Sequence, residues 1–147
     1  MLKNVIIRRD RLKSFFEISP ILEKTLDSVW LRNEIIAENL ANVDTPGYKS
    51  KEVVFEQILR NEMMKRGSKM KIARTHPLHI TNEYDVVNIK PEIRIKNNSS
   101  LRNDKNNVDI DLEMAELTKN TLKYDVLSQL IKKHFQNLQS VISEGRR

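Results

Sequence analysis

Ten positions near the C-terminus constrain the fold most. Ile110, Met114, Leu117, Thr121, Tyr124, Ser128, Ile131, Phe135, Leu138 and Ile142 are separated by alternating steps of four and three residues, and eight of the ten are apolar. Only an α-helix lines up residues at that spacing, and the average step of 3.5 is that of a narrow helix–helix seam. Leu127, Leu130 and Val141 widen the stripe. Asp109, Asp111 and Glu113 stand at its start, where carboxylates cap the helix and oppose the positive end of its dipole. Lys132, Lys133 and His134 come late, where cations belong, and Gly145 offers a stop. The predicted helix has about 35 residues and is roughly 50 Å long.

A second helix of the same kind is predicted near the N-terminus. Ser19-Pro20 has the chemistry of a start, with Ser as N-cap and Pro in the first turn. Leu22, Leu26, Val29, Ile36, Leu40 and Val43 then follow the same period, with Asn33 as the one polar seam position. The pattern ends at Asp44-Thr45-Pro46-Gly47. Pro46 cannot continue a helix, and Gly47 can take a positive φ. A long helix with one apolar stripe is marginal alone in water, so the two are expected to pair with each other, with neighbours, or both. The bland alternative is an ordinary two- or three-helix bundle.

The middle of the chain is different in kind. Val53 to Lys65 carries Phe55, Ile58, Leu59 and Met63 on one helical face, with Arg66-Gly67-Ser68 as a stop. Val87, Ile89, Ile93 and Ile95 alternate with polar residues, as in a strand, and Pro91 restricts that strand to an edge or to two short pieces. Asn97 to Asn107 is nearly all polar and is expected to be mobile. The chain thus divides into a basic extension (1–18), an N-terminal helix with an Asn-rich turn (19–49), a variable middle (50–107) and a C-terminal helix (108–147). The fold class is mainly α, with long terminal helices pairing in a coiled-coil-like bundle around a small irregular, β-containing middle.

Composition narrows function by exclusion. There is no Cys, so neither disulfides nor thiol chemistry enter. No apolar run approaches the roughly 20 residues of a transmembrane span. Val5-Ile6-Ile7 precedes Arg8, Arg9 and Arg11, the reverse of a secretory signal, so export would need another route. The three glycines stand apart at 47, 67 and 145 and form no phosphate-binding loop. No local motif suggests a Ser-His-Asp or Cys-His arrangement. His76 and His79, with Glu83 or Asp85, have poor metal-site spacing and are expected to be turn or contact residues. Asp109 and Asp111 are capping residues more simply than a catalytic pair. No catalytic, cofactor-binding or metal-binding residue is assigned, and no enzyme activity is expected. Of the net charge of +6, Lys3, Arg8, Arg9, Arg11 and Lys13 against Asp10 place +4 in residues 1–14. That tail could meet an acidic membrane surface or nucleic acid, but a solvated, disordered tail is the favoured reading. Elsewhere the signs are interspersed, unlike the single basic face of a nucleic-acid binder.

Residues Asn39-Leu40-Ala41-Asn42-Val43-Asp44-Thr45-Pro46-Gly47-Tyr48-Lys49 resemble the N-terminal motif of the axial flagellar proteins, the rod, hook and hook–filament junction subunits. Thr75-His76-Pro77-Leu78-His79-Ile80 and Asn107-Val108-Asp109-Ile110-Asp111-Leu112-Glu113, with Asn120, Leu122, Lys123 and Tyr124, are similar to the central and C-terminal signatures of its short proximal-rod members. The resemblance spans about Phe16 to Ile142 and is weak over 52–72 and 82–106. Met1 to Ser14 departs from it as an extension. The resemblance implies a structural, self-assembling subunit of the proximal rod of the bacterial flagellar basal body. It further implies the rod proteins FlgC, FlgF and FlgG and the rod-base adaptor FliE as partners. Passage through the flagellar type III export apparatus and a place outside the cytoplasmic membrane are implied too. Asn39 to Tyr48 would be the assembly motif. Leu22, Leu26, Val29, Ile36, Ile110, Met114, Leu117, Tyr124, Ile131, Phe135, Leu138 and Ile142 would form the helix seam. In the motif itself, Asn39 and Asn42 can cap backbone, Asp44 and Thr45 can accept from backbone donors, Pro46-Gly47 redirects the chain, and Tyr48 packs with a polar tip.

Overall fold

The computed structural model describes residues 2–68, 89–96 and 105–144, with side chains over 18–65, 89–96 and 105–143. Five elements follow in order: α1 (Leu2–Ala41), β1 (Lys51–Val54), α2 (Glu56–Ser68), β2 (Glu92–Ile95) and α3 (Ile110–Glu144). The chain is mainly helical, and its long N- and C-terminal helices pack together. Asn33 meets Asn120 while Ser19 meets His134, so α1 and α3 run antiparallel. β1 and β2 form a two-stranded antiparallel sheet with Lys51 opposite Ile95 and Val54 opposite Glu92.

Three expectations need correcting. The helix does not start at Ser19-Pro20: α1 begins at Leu2 and carries Pro20 inside it, so residues 2–18 continue the helix and are not a disordered tail. Ser19 caps nothing there. Its Oγ lies 3.1 Å from Nε2 of His134 on α3, a tertiary contact that holds the stretch around Pro20 against its neighbour. Second, Val53 and Val54 belong to β1 and Phe55 to the link, so α2 starts only at Glu56 and reaches Ser68. Pairing with β2 wins the two β-branched residues for the sheet. Third, Asn106 and Asn107 are firmly bonded and not part of a mobile run.

Helix α3 matches its expected span, and Asp109 is its N-cap. The Asp109 carboxylate accepts from the backbone N–H of Asp111 at 3.0 Å and of Leu112 at 3.3 Å. The rotation of α3 about its axis is the surprise. Its less exposed positions are Glu113, Glu116, Leu117, Asn120, Lys123, Leu127, Ser128, Ile131, His134, Leu138 and Val141. That face shares Leu117, Ser128, Ile131 and Leu138 with the apolar stripe of the sequence and is rotated from it by roughly a sixth of a turn. Of the seam positions, Val29 and Ile36 are buried, and Leu22, Leu26, Leu117, Ile131 and Leu138 are half-buried. Ile110, Met114, Tyr124, Phe135 and Ile142 are exposed.

The core is small and sits where mid-α1, β1 and the approach to α3 meet. Val29, Ile35, Ile36, Val53, Phe55, Ile89 and Val108 are buried, with Phe55 fully enclosed. Six polar residues share that interior: Ser28, Asn39, Ser50, Asn106, Glu113 and Asn120. Fifteen large apolar side chains stay exposed against seven apolar residues buried, among the described residues.

Candidate assembly site

The motif Asn39–Tyr48 is where α1 ends and the chain turns back into β1. The last turn of α1 tightens: the N–H of Asn42 donates to the carbonyl of Asn39 at 3.2 Å and that of Val43 to Leu40 at 3.3 Å. Tyr48 N–H then donates to Thr45 C=O at 3.3 Å, closing a turn with Pro46 first and Gly47 second of its central pair. Gly47 has φ +74°, the value that position of a type II turn demands. An added Cβ at Gly47 would touch nothing within 4 Å. Glycine is therefore required by backbone sign and not by room.

Asn39 is fully buried and acts as a one-residue strand against the edge of β1. Its Nδ2 donates to the carbonyl of Lys51 at 2.9 Å, and its Oδ1 accepts from Lys51 N–H at 2.9 Å and from the Tyr48 hydroxyl at 3.3 Å. Two turns earlier on α1, Arg32 donates to the carbonyl of Val53 at 3.2 Å. Asn39 and Arg32 thus cover the edge of β1 that β2 does not pair, which is how a short edge is protected. Lys51 also donates its ammonium to Glu38. Burial raises the pKa of the Tyr48 phenol, and the Glu38 charge adds to it, so the ring's polar tip stays a neutral donor.

From the far side the turn is held by residues just before α3. Asn106, also fully buried, donates through Nδ2 to the carbonyls of Asn42, Val43 and Thr45, each at 2.9 Å. Its Oδ1 accepts from Val108 N–H at 2.7 Å. Asn107 accepts from Ser50 N–H and donates to Lys96 C=O, both at 2.7 Å. Lys49 donates its ammonium to the carbonyl of Lys105 at 2.7 Å, and Lys105 itself has φ 60°. The turn is therefore a rigid junction stapled to α3's approach. Its tip faces outward: Asp44, Thr45, Pro46 and Gly47 are exposed, as is Ala41, while Leu40, Asn42, Val43 and Tyr48 are half-buried.

Two details differ from expectation. Asp44 makes no hydrogen bond among the described residues, and Thr45 donates its hydroxyl to Asn42 Oδ1 at 3.2 Å where accepting was expected. Asn42 does cap backbone, donating to the carbonyl of Glu38 at 2.8 Å.

Sequence reasoning missed the polar crossing of α1 and α3. Asn120 donates to the carbonyl of Val29 at 2.8 Å and to Asn33 Oδ1 at 2.7 Å. Arg32 reaches Glu56 at 2.7 Å, and Lys123 reaches the same carboxylate at 3.1 Å, joining α1, α2 and α3. Burial pushes the Glu56 carboxyl up, but hydrogen bonds from Arg32, its own backbone N–H and Lys123 outweigh that and hold it at about 2. Arg32, Glu56 and Lys123 line an open groove of about 440 Å³. Most of its charges are paired within the chain: Glu113 lies 3.7 Å from Lys96, and Glu116 2.8 Å from Lys119, while Glu52 has no ion-pair partner among the described residues. A groove of such paired charges has little left to hold a small ligand. His76, His79, Glu83, Asp85 and the Thr75–Ile80 element lie outside the described residues.

The same stretch carries the family signal: residues 31–49, the end of α1 and its turn, match the family of flagella basal body rod proteins. The decisive match is with the flagellar basal body rod protein FlgB of Borrelia hermsii, 35% identical over 133 residues, 88% of this chain and 98% of that relative. This chain belongs to the FlgB family. FlgB of Bacillus subtilis is 30% identical over 125 residues, 85% of this chain and 92% of its own length. FlgB of Escherichia coli is 29% identical over 119 residues, 78% and 84% respectively. The FlgB likeness therefore extends far beyond the turn, across both long helices and the middle that the sequence motifs covered weakly.

Proposed function

We propose that this chain, a structural subunit of the flagellar proximal rod, assembles through two exposed features of its fold: the apolar stripe of α3 and the tip of the Asn39–Tyr48 turn. One observation carries this. Of the heptad stripe, Ile110, Met114, Tyr124 and Ile142 are exposed, so their apolar area is left for neighbouring subunits. Burying it contributes on the order of 25 cal/mol per Å² before entropic costs. The seam positions on α1 serve the subunit's own core, and those on α3 serve mainly the contacts between subunits. Because Asn39 and Asn106 lock the turn from inside, its tip at Asp44–Gly47 presents a fixed shape to a neighbour. Contacts of this head-to-tail kind do not close on themselves and build a filament.

The partners are other rod components, with FlgC, FlgF and FlgG as neighbours along the shaft and FliE at its base. The subunit reaches its place outside the cytoplasmic membrane through the flagellar type III apparatus. No described helix is long and apolar enough to cross a membrane, in keeping with a subunit that stands in the shaft and not in the bilayer. A rod protein works by contact and stiffness, and we assign it no catalytic activity. The test is a strain lacking the chain, scored for swimming and for rods in isolated basal bodies. Loss of both, restored by the wild-type chain, is the expected result. Intact rods and normal swimming without the chain would sink the proposal.

A further inference from the structure

The outer face of α1 is unlike the rest of the surface. Glu23, Asp27, Trp30, Glu34, Ala37 and Ala41 follow one another at steps of four and three, and all six are exposed. Trp30, the only tryptophan of the chain, is 64% exposed in the middle of the row. Tryptophan is among the residues that contribute most at protein interfaces, and an exposed one on a regular helix leaves a large apolar ring in water. The small side chains of Ala37 and Ala41 beside it let a second helix come close. Lys24 approaches Asp27 at 3.5 Å, but Glu23 and Glu34 have no ion-pair partner among the described residues.

The complement of this row must be helical, because the row repeats at a helical period, and it must be basic. α1 itself supplies such a segment. Its first turns carry Lys3, Arg8, Arg9, Arg11 and Lys13 against Asp10, and its helical path begins at Leu2. The charge of α1 is thus segregated along its length, basic first and acidic later. The two regions cannot meet within one chain: Arg9 and Trp30 are 21 positions apart on one helix, about 30 Å.

We propose that the face of α1 centred on Trp30 is the docking surface for the basic first turns of α1 from a second copy of this chain. The contact is head to tail and leaves an identical face open on the next copy. Guanidinium groups at 8, 9 and 11 have the chemistry to pair with the carboxylates and to lie over an indole ring. The inference takes from the rod reading only that the partner is another copy. It is tested on purified protein, so it can fail while the rod reading stands.

The experiment is self-association of the full chain by analytical ultracentrifugation, with Trp30 emission read in parallel. At low salt the chain is expected to associate with a blue shift of that emission, and high salt should weaken both. A variant with Glu23→Lys, Asp27→Lys and Glu34→Lys should associate about tenfold more weakly, as should one with Arg8→Glu, Arg9→Glu and Arg11→Glu. Mixed together, the two present opposite charges again and should recover association. Circular dichroism checks that both remain helical. Should either fail to fold, the milder Arg9→Gln and Glu34→Gln variants take their place, each expected to associate about threefold more weakly than wild type. The proposal is overturned by a wild-type chain that stays monomeric at low salt, or by association without a change at Trp30. It is equally overturned by charge-reversed or Gln variants as tight as wild type, or by a mixture no tighter than its components.

Discussion

Asn106 holds three backbone carbonyls with one amide nitrogen while its oxygen takes the N–H of Val108. Asn106→Ala would take this partner from the Val43 carbonyl and the Val108 N–H, while the carbonyls of Asn42 and Thr45 keep their bonds within the turn, so a loss of about 2 kcal/mol is expected in urea unfolding. Asn106→Asp has nearly the same shape but sets a carboxylate against three carbonyl oxygens, and should be worse than Ala. If Asp is tolerated better than Ala, the amide is not the clamp. The neighbouring Lys105 points the other way. Its φ of 60° is costly for any side chain, so Lys105→Gly should stabilise by about 1 kcal/mol while Lys105→Ala should not. A melt in which the two substitutions move together would remove the backbone argument. These residues also show the limit of the sequence. Asn39 was legible because it sits in a motif, whereas Asn120 sits in a signature that gave no sign of its contact with α1. Asn106 stands at the end of a polar run, where a side chain facing water and one facing three carbonyls look the same.

Period is legible in a sequence, and azimuth is not. The stripe from Ile110 to Ile142 locates α3 to within one residue at its start, and Asp109 caps it as its position implies. Which face then turns inward was decided by partners distant in sequence. Arg32 donates to Asn120, while Asn33 Oδ1 and the carbonyl of Val29 accept from it, and that polar crossing turned the helix roughly a sixth of a turn from its apolar stripe. The start of α1 was misjudged for a related reason. Pro20 is a local signal, and a tertiary contact beside it, Ser19 with His134, overrides it. The rotation of α3 yields a prediction at this scale. Met114→Gln with Ile142→Gln removes two exposed stripe residues, so monomer stability should change by no more than about 0.5 kcal/mol while rod assembly and swimming fail. Leu127→Ala, on the inward face, should cost the monomer about 2 kcal/mol instead. Equal effects of the two on monomer stability would mean the stripe also packs within the chain.

On the scale of the whole molecule, one carboxylate ties the three helices. Glu56 opens α2 and receives Arg32 from α1 and Lys123 from α3. Its folded pKa is about 2, against an ordinary 4.5. A depressed carboxyl stabilises the fold fully above its unfolded value, and that contribution is lost as pH falls toward the folded one. The window is therefore about pH 4.5 down to about 2. Half of the Glu56 side chain is exposed, so solvent screens the pair, and we expect about 1 kcal/mol from it, well below the full linkage value. Glu116, lowered by its hydrogen bond from Lys119, titrates too, so the decisive comparison is with Glu56→Gln and not with neutral pH alone. At pH 7 that variant should be less stable than wild type by roughly the same 1 kcal/mol, and the two should converge by pH 2 to 3. Urea titrations at both pH values make the comparison. A constant gap across the range would show that Glu56 acts through shape or packing and that its charge does not join the helices. Convergence would show that acid loosens α2 from the α1–α3 pair at a single, identifiable group.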